Sequence, residues 1–157
     1  MKLKAIFLSL CLLVPAQTVW TSTASSAKRV VNPRTAKKAD PIVGRYKTID
    51  DKTKKALSIV EIYEKKGVIY AKIVKVFGED ANARCEKCKG DKKNKPLKGL
   101  GILWGMKNNG DVYSGGTILD PDNGKTYTCK MWLTGNKLKV RGYIAFLYRT
   151  QYWHKTK

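Results

Sequence analysis

Two cysteines three positions apart, in Cys85-Glu86-Lys87-Cys88, are the strongest candidates for chemistry in this sequence. In an oxidising compartment such a pair forms a disulfide that pins its loop. A thiol redox role needs a helix amino terminus that lowers one thiol pKa, and no such setting is predicted here. Zinc would need two further ligands, and only Cys129 and His154 are available after residue 27, both on predicted strands. We favour the disulfide and predict no metal site, with redox and metal binding kept as alternatives.

Residues for acid–base catalysis are scarce. His154 is the one histidine, and it lies in a basic tail close to the carboxyl terminus. Asp120 and Asp122 form a carboxylate pair within Asp120-Pro121-Asp122-Asn123-Gly124, where Asp side chains usually hydrogen-bond their own backbone. We therefore predict structural roles for Asp120 and Gly124, with catalysis or cation binding as the weaker alternative. The sequence predicts a protein that is not an enzyme and that carries no cofactor.

Aromatic side chains are more informative than the titratable ones. Those that fall on predicted strands include Tyr70, Trp104, Tyr113, Tyr127, Trp132, Tyr143 and Trp153. Some must fill the core, and others could line a pocket, where they give apolar contact and a polar handle. We predict a ligand-binding wall made of Tyr70, Trp104, Tyr113, Tyr127, Met131 and Tyr143. Cys129 shares a face with Tyr127 and Met131 and is predicted to be an inert buried thiol.

The elements that must position these residues follow from an alternation of apolar and polar residues that begins at Pro41. Turns rich in Gly, Asn and Asp separate the alternating runs, as in Asn108-Asn109-Gly110-Asp111. The pattern predicts eight strands at Ile42–Ile49, Leu57–Tyr63, Val68–Phe77, Leu100–Met106, Val112–Leu119, Tyr127–Thr134, Lys137–Ile144 and Phe146–Trp153. In the fourth strand, Leu100, Ile102, Trp104 and Met106 are expected to share one apolar face.

Eight short strands joined mainly by hairpins predict an all-β fold, an antiparallel up-and-down barrel. Closure of the barrel removes the exposed edges that invite aggregation. At about eight strands the interior holds packed side chains or one small ligand. One short helix could lie within the polar segment 78–94. The alternation also predicts that Tyr127, Cys129 and Met131 face the interior, with Lys137, Lys139 and Arg141 on the outside.

The amino terminus has the features of a secretory signal peptide. Lys2 and Lys4 precede an apolar run from Ala5 to Val14, and small residues follow. Cleavage after Ala16, Ala24 or Ala27 would fit, and a run of this length is too short to span a membrane. We predict a signal peptide in residues 1–27, a basic flexible arm in 28–40 and one barrel domain in 41–157. The product is expected to be exported, periplasmic or secreted, and not transmembrane.

Net charge is the other unusual property. The chain has 32 Lys and Arg against 12 Asp and Glu, a net charge of +20. Such a charge attracts anionic surfaces, including lipid headgroups, acidic glycans and nucleic acid. The lysines are spread along the chain rather than clustered, so a simple solubilising role has equal weight. An anionic envelope surface is therefore a second expected partner, and nucleic acid is disfavoured.

Several segments together resemble a known family. They are Gly44–Thr48, Lys95–Leu100, Gly115–Tyr127, Leu138–Ile144 and Arg149–Trp153. Over about Pro41–His154 the chain resembles a family of small exported bacterial proteins of unknown function with a lipocalin-like barrel. The turn at Asp120–Tyr127 and the Arg149-Thr150-Gln151-Tyr152-Trp153 run are the most specific matches. The resemblance implies a lipocalin-like β-barrel with room for a small molecule and with no established activity.

The chain departs from the family pattern at two places. Gly44-Arg45-Tyr46 stands where the family usually has Gly-x-Trp, and Tyr148 stands where a glycine usually precedes Arg-Thr-Gln. In lipocalins the first-strand Trp packs under a basic side chain of the last strand. The resemblance therefore implies a cation–π contact between Tyr46 and Arg149 that closes one end of the barrel. Gly44, Tyr46, Arg149 and Trp153 are accordingly predicted to be structural.

These observations predict an exported binding protein for a small hydrophobic or amphipathic molecule. The first alternative is a basic barrel that binds an anionic partner on its surface: nucleic acid, an acidic glycan or lipid headgroups. The second alternative is a thiol redox protein that uses Cys85 and Cys88, which the barrel fold disfavours.

Overall fold

The computed structural model describes residues 39–78 and 82–157, and in this part of the chain nearly all regular structure is β-strand. The eight strands are β1 (Gly44–Ile49), β2 (Ala56–Lys65), β3 (Val68–Val76), β4 (Gly101–Asn108), β5 (Tyr113–Asp120), β6 (Lys125–Thr134), β7 (Lys137–Ile144) and β8 (Leu147–Thr156). A single 3-10 turn lies at Gly90–Lys92. It falls within the segment where a short helix was expected.

The strands close into an antiparallel barrel in sequence order, and β8 pairs back onto β1. The predicted fold class, an all-β up-and-down barrel of eight strands, is confirmed. The strand ends differ from the predicted ones by three residues at most. The predicted signal peptide and residues 28–38 of the predicted arm lie outside the described residues. Among the described residues, no helix has the length and apolar character required to cross a membrane.

The two ends of the barrel differ. The connections β1–β2, β3–β4, β5–β6 and β7–β8 lie at one end, which we call the mouth, and the remaining connections lie at the closed end. The interior of the closed end is filled by fully buried side chains: Ile42, Tyr46, Ile62, Ile69, Met106, Met131 and Leu138. Packed apolar side chains of this kind are the main source of stability for a domain of this size. They give the mouth end a rigid base.

Hydrogen bonds complete the closed end. The Tyr46 hydroxyl donates to the Ile42 carbonyl at 2.9 Å, and the Tyr113 hydroxyl donates to the Asp40 carboxylate. Asn108 Nδ2 donates to the other carboxylate oxygen of Asp40 at 3.0 Å. The segment that precedes β1 is thereby tied across the base of the barrel, and each buried hydroxyl has a partner.

A β-bulge in β4 changes which residues of that strand face inward. Ile69 and Ala71 of β3 lie opposite Met106 and Leu103, so β4 has one extra residue between these pairs. Gly105 lies in this stretch with φ +77°, a conformation that residues with a side chain rarely adopt. Trp104 is consequently only half-buried, whereas Leu103 is buried. The prediction that Trp104 shares one buried face with Leu100, Ile102 and Met106 is wrong for this reason.

Candidate ligand-binding cavity

The mouth half of the barrel contains a cavity of about 470 Å³. Its walls come from the ends of the strands nearest the mouth and are mainly apolar: Leu57, Val60, Ile73, Val76, Phe77, Leu97, Ile102, Ile118, Leu119, Val140 and Trp153. Strand alternation points most of these side chains inward, and Phe77 and Leu97 come from the β3–β4 connection. A volume of this size, apolar with a few polar groups, is typical of sites for small molecules.

Polar groups are few within the wall, and they are held in place. The Thr48 and Ser58 hydroxyls lie 2.8 Å apart in a hydrogen bond, and the Ser58 N–H donates to Thr48 Oγ1 at 3.1 Å. On β8, Trp153 Nε1 donates to Gln151 Oε1 at 3.4 Å. This contact orients the Gln151 amide so that its Nε2 remains a donor for a guest. The interior therefore offers hydroxyl and amide groups but no buried charge.

Charged residues surround the opening in nearly balanced numbers. The cavity is lined by the acidic residues Asp50, Glu86, Asp120 and Asp122 and by the basic residues Arg84, Lys87 and Arg149. Burial at the rim, together with neighbouring Asp120, raises the pKa of Asp122, although Arg149 and Lys87 act against this shift. The charges that line the cavity are thus nearly balanced, whereas the exposed Lys52, Lys54 and Lys55 of the adjoining β1–β2 loop add positive charge outside it.

The seam between β1 and β8 is incomplete near the mouth. Its pairs are Arg45 with Thr156, Tyr46 with Lys155 and Lys47 with His154, all toward the closed end. Toward the mouth, Arg149 Nη2 donates to Asp51 Oδ2 at 2.8 Å and Nε donates to the same oxygen at 3.2 Å. The hydrogen bond to Asp51 raises the pKa of Arg149. This ion pair connects β8 to the β1–β2 loop where the backbone ladder has ended.

The β3–β4 connection lies over the opening and has its own internal structure. Arg84 and Pro96 form an isolated β-bridge. The Cys85 N–H donates to the Lys95 carbonyl, and the Cys85 carbonyl accepts the Asn94 N–H, at 2.9 Å each. The disulfide between Cys85 and Cys88 is confirmed, and both cysteines are buried. Ala83, Arg84 and Leu97 of this connection line the cavity. The disulfide therefore pins a loop that forms part of the cavity wall.

Gly124 allows this loop to rest on the β5–β6 turn. A Cβ at Gly124 would overlap the Lys87 carbonyl, and its φ of +69° also disfavours a side chain. Asp120 Oδ1 accepts the Asp122 N–H at 3.0 Å, and Asn123 Oδ1 accepts the Lys125 N–H at 2.8 Å. Asp120 and Gly124 thus have turn and packing roles. The same turn lines the mouth, a link to the cavity that sequence analysis had missed.

The six residues predicted as a ligand wall do not form one group. Tyr127 lines the cavity, whereas Tyr113 and Met131 face inward in the filled closed end. Tyr70 stacks on Tyr63 with ring centroids 5.7 Å apart, on the outer face of β3. Trp104 meets Lys92, and Tyr143 meets Lys130, also on the outer surface. The placement of Tyr70, Trp104 and Tyr143 in an internal wall is wrong, because strand alternation turns Tyr70 and Tyr143 outward and the β4 bulge turns Trp104 outward.

The predicted contact between Tyr46 and Arg149 is also wrong. β1 and β8 are antiparallel, so Tyr46 lies at the closed end, opposite Lys155, while Arg149 lies at the mouth. Lys155 is a cation at the closed end that contacts the segment before β1: its Nζ donates to the Pro41 carbonyl at 3.4 Å, and its side chain lies beside Gly44. Tyr46 seals the base through its own hydroxyl, and Arg149 acts at the rim.

Cys129 and His154 lie apart from the disulfide. Cys129 is a free thiol in the barrel interior, and burial raises its pKa to about 12. His154 lies between Lys47 of β1 and Lys137 of β7, toward the closed end. Among the described residues, no group of three or more His, Cys, Asp or Glu side chains could hold a metal ion. A reactive thiol needs a lowered pKa, so Cys129 is unsuited to nucleophilic chemistry.

The raised pKa values of Cys129 and Tyr46 predict that the barrel is less stable at alkaline pH. Cys129 has a folded pKa of about 12, above its unfolded value of about 8.5. The stabilisation that the protonated thiol gives to the folded state is complete below about pH 8 and is lost as the pH rises. At about pH 9.5 the free energy of unfolding is therefore lower by about 1 kcal/mol. Tyr46, raised to about 12 by burial and by Asp40, adds a further loss above about pH 10. Urea midpoints should fall across this range and should fall less between about pH 8 and 9.5 in Cys129→Ala. Parallel curves for the two proteins would contradict the assignment.

Comparisons with known proteins agree with this architecture. Residues 44–155 match the model of the family described as "Uncharacterized protein conserved in bacteria (DUF2147)". The solved structure of protein HP1028 from Helicobacter pylori, described as belonging to the lipocalin family, matches with a TM-score of 0.65 at 22% identity. The match covers 73% of this chain and 82% of that chain, and at this identity it shows the fold alone. No curated protein sequence matches the chain. Since the family model spans most of the sequence, the chain belongs to the DUF2147 family of conserved bacterial proteins, with a lipocalin-like fold.

Proposed function

We propose that this protein is an exported binding protein whose barrel holds a small apolar or amphipathic molecule. The observation that carries the proposal is the cavity of about 470 Å³, with apolar walls, at the mouth of a lipocalin-like barrel. The filled closed end supports it, because within the described residues a packed base closes the end of the barrel opposite the mouth. Export is inferred from the signal-like amino terminus and agrees with the disulfide.

The polar groups of the cavity narrow the class of guest. The hydroxyls of Thr48 and Ser58 and the amide of Gln151 can hydrogen-bond a polar head. Among the described residues that line the cavity, acidic and basic side chains are nearly balanced, so the lining itself does not favour an anion. We infer a guest with an apolar body and a neutral or zwitterionic head, such as a long-chain alcohol or amide in preference to a fatty acid.

A binding role fits the placement of the titratable groups better than catalysis does. The single histidine lies toward the closed end, and the free thiol has a raised pKa. The two remaining described cysteines are joined in the wall loop. At the mouth, the Asp50 and Asp120 carboxylates accept N–H groups of their own turns, and Asp51 binds Arg149.

Native mass spectrometry of the protein recovered from its own host tests the proposal. We expect a reproducible mass increment that disappears on unfolding, and organic extraction should then release an amphipathic molecule. Added long-chain alcohol should bind more tightly than the fatty acid of equal length. A bare mass together with no uptake of either compound would overturn the proposal.

A further inference from the structure

The β7–β8 hairpin has an apolar tip that projects from the mouth of the barrel. The exposed fractions of its side chains are 48% for Ile144, 89% for Phe146, 60% for Leu147 and 60% for Tyr148. Isolated exposed apolar residues are ordinary, but a contiguous group of this kind marks an interaction site. We call Ile144, Phe146, Leu147 and Tyr148 the apolar tip.

The turn itself departs from the usual chemistry of hairpins. Ala145 and Phe146 connect β7 to β8, and Ala145 has φ +51°. Tight turns favour Gly, Asn and Asp, which tolerate positive φ and remain hydrated. The β6–β7 turn of this barrel follows that rule with Gly135-Asn136, whereas Lys66 in the β2–β3 turn also has positive φ, at +53°. The β7–β8 turn departs further, because both of its residues are apolar, and such a departure at an exposed turn points to function there rather than to folding.

Cations flank the apolar tip on two sides. On the outer sheet face, the Arg141 guanidinium lies 4.3 Å from the centre of the Tyr148 ring, and Lys130 lies 5.7 Å from that of Tyr143. Tyr143 and Tyr148 are in contact, with centroids 5.8 Å apart. Arginine, lysine and tyrosine in this arrangement suit the interfacial layer of a bilayer, where apolar stems are buried and polar ends reach water.

The neighbouring β1–β2 loop supplies the second group of cations. Its Asp51 binds Arg149, which places the loop beside the start of β8. The adjoining Asp50 accepts the N–H groups of Lys52 and Thr53, so both carboxylates of the loop are engaged. The remaining charged side chains of the loop are exposed lysines: Lys52, Lys54 and Lys55. Each cation close to an anionic lipid surface contributes about 1 kcal/mol of attraction.

We propose that the apolar tip inserts into the surface of an anionic lipid bilayer, with the flanking lysines and arginines on the headgroups. The tip is a narrow, convex projection, whereas a stable protein interface needs about 800 Å² of complementary surface on each partner. A bilayer accepts such a projection without a matching pocket. Arg149 and Gln151 of β8 line the cavity, so docking brings the mouth toward the lipid. The docking surface is independent of whether the cavity is occupied.

Binding to lipid vesicles tests this surface. The protein is recovered from its host, and mass spectrometry determines the residue at which its amino terminus begins. We expect binding to vesicles of phosphatidylglycerol and phosphatidylethanolamine, and little binding to pure phosphatidylcholine. Phe146→Ser/Leu147→Ser should weaken binding at least tenfold, because the inserted apolar area is lost. Lys52→Gln/Lys54→Gln/Lys55→Gln should weaken it and reduce its salt dependence. The matched control is Leu133→Ser, an exposed leucine at the closed end, which should bind like the parent.

A depth measurement separates insertion from simple charge attraction. Tryptophan introduced by Phe146→Trp should be quenched by bromine on the lipid chains, beyond the quenching of the parent. Unchanged vesicle binding by Phe146→Ser/Leu147→Ser, or by the single Phe146→Gln, would overturn the proposal. So would a dimer in sedimentation that depends on Phe146, since a second copy would then cover the tip. A variant that no longer binds vesicles is then compared with the parent by native mass spectrometry. If it keeps the mass increment of the bound ligand, then membrane docking and ligand binding are separate properties.

Discussion

Replacing Trp153 by alanine is expected to lower the free energy of unfolding by about 3–5 kcal/mol. Trp153 is 2% exposed, and its ring packs in the barrel interior where β7 and β8 pair. Alanine would remove most of the side chain and leave a void that the closed strands cannot collapse to fill. The loss of the Nε1 hydrogen bond would also release the Gln151 amide. Urea unfolding of the parent and the variant, followed by circular dichroism, measures the difference.

The matched control is the same substitution at Trp132. Trp132 lies on the outer face of β6, half-buried, with Lys139 at 5.0 Å and Arg141 at 5.3 Å from its ring centre. These partly exposed contacts contribute roughly 1 kcal/mol together, so Trp132→Ala should cost about that amount. Equal costs for the two variants would mean that the inward and outward faces are misassigned. If Trp153→Ala fails to fold, Trp153→Phe should still cost more than Trp132→Phe.

The fold could be predicted because period-two alternation and turn chemistry both act locally. In β6 the inward Tyr127, Cys129 and Met131 alternate with outward Lys130 and Trp132, as expected. The disulfide of the β3–β4 connection could be predicted because its two cysteines are close in sequence, so their pairing does not depend on the tertiary fold. Strand ends shifted by a few residues because their exact limits depend on pairing with neighbours, which alternation does not specify.

The residues of the cavity wall were not predicted correctly, because residue type was given more weight than parity. Parity is the odd or even position of a residue along its strand, which decides whether its side chain points inward or outward. Tyr70 is aromatic but alternates with Ile69 and Ala71, which are the inward residues of β3. Trp104 was misplaced by the bulge, since an extra residue moves part of a strand to the other face. The contact between Tyr46 and Arg149 ignored the direction of β8. Parity and antiparallel direction, applied strictly, would have turned Tyr70 outward and separated that pair.

Filling the cavity from within is expected to abolish ligand uptake. Ile118 lines the cavity from β5 and is half-buried, opposite Leu103 on one side and Tyr127 on the other. In Ile118→Trp the larger ring would extend into open space, so its stability cost should stay below about 1.5 kcal/mol. Affinity for the native ligand, or for the neutral dye Nile red, should fall at least tenfold, because the introduced indole ring would occupy the space in the cavity that the ligand needs. Titration by fluorescence or native mass spectrometry measures this.

The control for bulk and hydrophobicity is the adjacent substitution Thr117→Trp. Thr117 lies opposite Trp104 on the outer face, so the same indole added there leaves the cavity unchanged. A neutral probe is needed because an anionic dye would also bind the basic exterior. Loss of uptake in Ile118→Trp alone would place the guest inside the barrel. Equal uptake by both variants and the parent would place it on the outer surface and remove the main support for a carrier function. The Ile118 and Thr117 pair therefore decides between an internal and a surface site, which mass measurements on the parent protein cannot do.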